Sequence, residues 1–243
     1  MIIPDVPFLH DDEIEADALE VLSDYLGPLQ SHLLLVPVDK LLEHGLHLHL
    51  GYTNVPERCG NPSALAVIEI EDREVLIDDT LDPVESPQYE VVQRFCCGHE
   101  AGHWRTLGPD GLIHRLPADR REGFSTEDLL GQLQRCSQDR SRAAGYPRSE
   151  YIADQYAANL LMPAPLVRSE WLRQYDNLDP EESIRSELNR RFAPPPNNTG
   201  DRFEETLKGM ARDAIIRWFS EVFLVSKVAM QKRLTKLGLL LPQ

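Results

Sequence analysis

The chain has 243 residues, an ordinary hydrophobic fraction of 42% and a net charge of −15, enough to bury the core of one large domain or two small ones. No apolar run approaches the roughly 18 residues of a membrane span, the opening Met1-Ile-Ile-Pro-Asp-Val-Pro-Phe8 lacks the regions of a secretory signal, and Cys59, Cys96, Cys97 and Cys136 show neither C-x-x-C spacing nor scaffold density; a soluble cytoplasmic protein with buried thiols is expected, and a membrane protein, a zinc ribbon or a disulfide scaffold is excluded. Residues 1–100 hold 21 Asp+Glu against 4 Lys+Arg and residues 101–243 hold 19 against 21, so an acidic first part of −17 precedes a nearly neutral remainder of +2, a balance that discourages non-specific binding to nucleic acid.

From Asp11 to Leu26 the apolar residues Ile14, Ala18, Leu19, Leu22 and Tyr25 recur at helical spacing, closed by Gly27-Pro28. A shorter helix follows Pro37 with Val38, Leu41 and Leu42, ending at Gly45. Leu46 to Tyr52, Ala64 to Glu71 and Glu74 to Asp78 read as strands, the last two a hairpin turning at Asp72-Arg73, and together they predict a small antiparallel sheet. Alternation of Leu46, Leu48 and Leu50 with His47 and His49 buries the leucines and wets the histidines. A metal pair at His47 and His49 is the less favoured reading. A helix from Tyr89 past Trp104, with Val92, Cys96, His99 and His103 on one side, is expected to cover the sheet.

That helix carries His99-Glu100-Ala101-Gly102-His103. Histidines four apart on a helix lie one above the other and can meet on one metal ion, while Glu100 is turned about 100° around the axis, within reach of water held there. This is the H-E-x-x-H arrangement of zinc peptidases. The expected third ligand is Glu150, opening a helix that Met162-Pro163 stops. Glu150 and Asp154 share a face, so that one ligates and the other accepts a hydrogen bond from the far nitrogen of a ligating histidine. Cys96 and Cys97 read as small buried hydrophobes in preference to a redox pair. The connection from His103 to Glu150 is polar and rich in Gly and Arg, with a helix expected from Ser125 through Leu129, Leu130 and Leu133; His114 within it reads as a solvated loop residue.

Beyond Pro165, Leu166, Val167, Trp171 and Leu172 mark a short helix. Residues 176–202, with Ala193-Pro-Pro-Pro-Asn-Asn-Thr-Gly200, read as a flexible linker. The tail holds a helix over about Phe203 to Phe219, a turn around Phe223 to Ser226, and a helix from Lys227 to Leu237 with Ser226 as N-cap and Gly238 as stop. Lys232, Arg233 and Lys236 on one side of the last helix give the outline of a DNA-reading helix-turn-helix, while Met230, Leu234 and Leu237 pack it on a core. The expected organisation is α+β: a metallopeptidase-like domain over 1–175, a linker over 176–202 and a C-terminal helical segment over 203–243.

Gln93-Arg-Phe-Cys-Cys-Gly-His-Glu-Ala-Gly-His103, Glu150-Tyr-Ile-Ala-Asp-Gln-Tyr-Ala-Ala-Asn-Leu-Leu-Met-Pro163 and Phe223-Leu-Val-Ser-Lys-Val-Ala-Met-Gln-Lys-Arg-Leu-Thr-Lys-Leu-Gly-Leu239 resemble, in order, the three sequence blocks of the ImmA/IrrE family of metallo-endopeptidases. The resemblance implies a compact gluzincin-like, zincin-type core in which His99, His103 and Glu150 bind Zn2+ or another divalent ion such as Mn2+. It also implies that Glu100 is the catalytic general base on metal-bound water, and that the substrate is a helix-turn-helix transcriptional repressor. Cys96-Cys97-Gly98 and the long connection from His103 to Glu150 depart from the family pattern; they bear on substrate choice and access. The alternative is a DNA-binding or partner-binding regulator of toxin-antitoxin type with a structural or sensory metal site, touching duplex DNA through Lys227, Lys232, Arg233 and Lys236.

Overall fold

Three short strands form a mixed sheet, not the antiparallel one expected. The computed structural model describes residues 6–29, 33–121, 147–175, 179–191 and 200–241. In it β1 (His49–Thr53) runs parallel to β3 (Glu74–Asp78), and β3 pairs antiparallel with β2 (Ala66–Glu69), in the order β1-β3-β2. The cause is a helix the strand pattern did not reveal. After α1 (Asp11–Leu26) and α2 (Val38–Lys40), which precede the sheet, this helix is α3 (Val55–Cys59), between β1 and β2. The Asn54 side chain accepts from the Glu57 backbone at 3.1 Å, and Gly60, at φ +63°, ends the helix in the left-handed region. This excursion sets β2 one strand away from β1. The hairpin, turning at Arg73 with φ 54°, then lays β3 in the gap, where it must run with β1. Buried Asp78 pins the join, accepting from the Val55 backbone at 3.2 Å and from Thr80.

In α1 the buried face is Ile14, Asp17, Ala18, Val21 and Leu22, whereas Leu19 and Tyr25 are only half-buried. After Pro37, α2 runs into a π turn over Leu41–Gly45. Leu46 and Leu48 are buried, Leu50 is half-buried, and His47 and His49 are exposed, as alternation requires. Then α4 (Glu90–Leu107) packs on β2 and β3 and most extensively on α6 (Arg148–Leu161); the short α5 (Leu112–Arg115) lies between them in sequence. Val92 does not share the buried side of α4: with Phe95 it lies on the exposed edge.

By its contacts the chain divides into Met1–Leu29 with Val36–Pro163, and Gln30–Leu35 with Ala164–Gln243. The boundary falls before α7 (Ala164–Tyr175) and not after residue 175, because Trp171 and Tyr175 set their rings against Phe219 at centroid distances of 5.5 and 6.4 Å. Much of the expected linker is helix α8 (Pro180–Arg191), started by Asp179, whose side chain accepts from the Glu182 backbone at 3.1 Å. Glu181 and Arg185 tie it to Arg212 and Glu204 of α9 (Gly200–Phe223). This helix is longer at both ends than the periodicity indicated, and it buries Leu207, Ala211, Ile215, Phe219 and Phe223 in one stripe. Ser226 caps α10 (Lys227–Lys236), accepting from the Ala229 backbone at 3.1 Å. The helix expected from Ser125, Cys136 and the proline run after Ala193 lie outside the described residues. Among those described, no helix is long and apolar enough to cross a membrane.

Candidate metal centre

The site begins with two missing side chains. A Cβ on Gly102 would stand 2.8 Å from the Ala153 Cα and the Tyr156 Cβ, and one on Gly98 would stand 3.1 Å from the Ala157 Cα. Glycine at these positions lets the backbones of α4 and α6 approach closely, with Ala153 and Ala157 as facing small residues. Pairing 98 with 157 and 102 with 153 makes the helices antiparallel. Glu150, one turn before Ala153, therefore comes level with His103.

The donors converge accordingly. Nε2 of His99 and Nε2 of His103 face each other 3.1 Å apart; Glu150 Oε2 lies 3.4 Å from the first and Oε1 3.4 Å from the second. A tetrahedral ion with bonds of about 2.0–2.1 Å keeps its ligand atoms about 3.4 Å apart, so this donor set has the spacing and the chemistry of two imidazoles and a carboxylate that fit such an ion. His99, His103 and Glu150 are all buried, and among the described residues they form a group close enough to hold a metal ion. The histidines at 47 and 49 belong to no such group, and His114 is half-buried on α5.

Asp154 lies 35% exposed at its side chain and its Oδ1 accepts from His99 Nδ1 at 2.9 Å. That bond fixes the tautomer and leaves Nε2 as the nitrogen aimed at Glu150 and His103. Nδ1 of His103 is buried with no hydrogen-bond partner among the described residues. Among protein groups alone, burial works against a charged His99. Hydrogen bonds to Asp154 and Glu150 and the charge of Glu100 outweigh it, lifting its pKa from 6.5 to about 10. Glu150 is likewise opposed by burial, yet the hydrogen bonds from His103 and His99 hold it well below the usual carboxylate range. Carboxylates that favour a proton here also favour a divalent cation, and a bound ion would displace that proton. Glu100, 5% exposed, follows His99 on the same helix. Cys59, Cys96 and Cys97 are buried and form no disulfide; burial pushes the Cys97 thiol far up, which suits a packing residue and not a reactive thiolate.

One buried group escaped the sequence reading. Asp17 of α1, 2% exposed, accepts on Oδ1 from Arg105 Nη2 at 2.6 Å and Arg115 Nη2 at 2.9 Å, and on Oδ2 from Arg105 Nε at 2.9 Å and the Tyr156 hydroxyl at 2.8 Å. Its signal was present: an acid at the second position of the stripe from Ile14 to Leu22, where only apolar residues belong. No protein-family model, curated protein or solved structure matches this chain.

Proposed function

We propose that the chain is a zinc-dependent endopeptidase of the ImmA/IrrE type, with α4, α6 and the sheet as a gluzincin-like core, and that it cuts a helix-turn-helix transcriptional repressor. The observation that carries the reading is the convergence of both imidazoles of His-Glu-x-x-His with the Glu150 carboxylate in one buried cluster beside a further glutamate, Glu100. His99, His103 and Glu150 would hold the ion, with Zn2+ preferred to Mn2+ because two neutral nitrogens and one oxygen suit it better. Such an ion, when bound, supplies Lewis acidity towards water and the scissile carbonyl.

The protein groups divide the remaining work. Glu100 takes the proton of the attacking water and returns it to the leaving amine, a role that a purely structural site would not need. Asp154 holds His99 in the ligating tautomer. The repressor as substrate rests on the three sequence blocks. The regulator alternative is weakened by α10 itself: Arg233 is 3% exposed and cannot reach a phosphate, and Lys227 already faces Asp213 at 3.4 Å.

The test is incubation with the helix-turn-helix repressor encoded nearest to this chain's gene, followed by mass spectrometry, for wild type, Glu100→Gln and chelated wild type. A single defined cut by wild type alone, with Glu100→Gln retaining metal, is the expected result. Metal at one per chain without any cut would remove the repressor as substrate; loss of metal in Glu100→Gln would make Glu100 structural.

A further inference from the structure

The helix that supplies no ligand is bonded to both helices that do. Arg105 stands two residues after His103 on α4, and Tyr156 stands two residues after Asp154 on α6; both end on the carboxylate of Asp17. Tyr156 is fully buried, and its Cβ is one of the atoms that face Gly102 where the two backbones approach most closely. Its hydroxyl bond to Asp17 therefore acts on the same contact that sets the helix spacing.

Why the pair needs such a link follows from how it packs. Glycine against alanine lets two helices come close, but small residues offer no interlocking knobs to stop one sliding along the other. Donor separations of 3.1–3.4 Å across α4 and α6 tolerate little slippage, since metal bonds are set to within a few tenths of an ångström. A two-pronged guanidinium–carboxylate pair is directional and strong when buried. Here one prong system starts from α4, and the hydroxyl of Tyr156 brings α6 to the same carboxylate.

We propose that Asp17 is a positioning residue for the metal centre: acting through Arg105 and Tyr156, it fixes the offset of α4 against α6 on which the convergence of His99, His103 and Glu150 depends. The inference rests on the metal reading above and extends it to a helix outside the three sequence blocks. Asp17 does its work without touching ligand or substrate.

The experiment uses the full chain and cobalt(II) as probe, recording affinity, the visible absorption of the bound ion and thermal midpoint for wild type, Asp17→Asn, Tyr156→Phe and Glu13→Gln. Asp17→Asn is expected to weaken cobalt binding by on the order of tenfold and to change the band shape, which reports coordination geometry. Tyr156→Phe, losing one hydrogen bond and keeping its ring, moves both readouts the same way by less, and decides the matter if Asp17→Asn does not fold. Glu13→Gln cuts an ion pair from α1 to Arg120 that touches neither ligand helix, so it is expected to lower the midpoint and leave affinity and spectrum unchanged. Wild-type affinity and spectrum in the folded Asp17 or Tyr156 variant would overturn the inference alone, as would an equal shift in Glu13→Gln. A wild type that takes up no cobalt would overturn the metal reading and this inference with it.

Discussion

Each of the two units buries glutamate on a helix, and Glu170 and Glu150 are treated in opposite ways. Glu170 of α7, 1% exposed, is bonded by Arg173 three residues on, with Nε donating to Oε2 at 2.6 Å, while the guanidinium itself reaches solvent. Its charge is neutralised locally and led out to water. Glu150 is met across an interface by two histidines of another helix. A buried charge paired within its own helix turn is satisfied locally, whereas charges drawn from separate elements to one point make a site that can take a ligand.

The comparison breaks first at Glu150. Glu150→Ala should abolish metal binding, read as metal content after dialysis, because two imidazoles alone leave the set one ligand short. Glu170→Gln should keep whatever metal wild type holds and lose about 1–3 kcal/mol of stability in a denaturant titration, the usual cost of spoiling a buried charged hydrogen bond. If both variants retained metal equally, Glu150 would be no different in kind from Glu170.

Glycines sharpen the same contrast. Gly102→Ala must push α6 away, since its new methyl would stand 2.8 Å from backbone. A cost of about 1–3 kcal/mol with weakened metal affinity is expected, and Gly98→Ala, at 3.1 Å, should show the same pair of effects at smaller size. In α9 nothing lies within 4 Å of a Cβ on Gly209, so Gly209→Ala should stabilise by about 0.5–1 kcal/mol through helix propensity. Thermal midpoints moving in opposite directions for Gly102 and Gly209 would bear this out; a stabilised Gly102→Ala would show that the close approach does not constrain the site.

What could be read in the sequence was what a single helix period encodes. His99 and His103, and Glu150 and Asp154, are each four apart, so helical spacing alone puts each pair on one face, and the end of α6 at Met162-Pro163 follows from proline chemistry. What could not be read depended on neighbours far along the chain. The parallel pairing of β1 with β3 arises from α3, a five-residue helix too short for periodicity to show. The helix Pro180–Arg191 offers little apolar stripe and is held by ion pairs to α9, so polarity alone mimicked a linker. Asp17 was passed over because helical periodicity is scored on apolar residues, and its partners lie 88, 98 and 139 positions away. The spacing from Gly98 to Gly102 was visible, but its meaning lies in Ala153 and Ala157.

The smallest effect is expected one turn before Asp17, at Glu13. Arg120 donates to its carboxylate at 2.7 Å on a partly exposed surface, and this bond, with the His10 backbone amide assisting, holds its pKa at about 2 in place of 4.5. A carboxyl whose folded pKa is depressed contributes stability above its unfolded value, here above pH 4.5, and that contribution fades as pH falls to about 2. Solvent screening limits it to about 0.5–1 kcal/mol. Urea titrations of wild type and Glu13→Gln should therefore differ by that amount above pH 4.5 and converge towards pH 2. A gap that stayed constant across this range would mean that the glutamine acts through packing, and Glu13 would then no longer serve as the charge-only counterpart of Asp17 on the same helix.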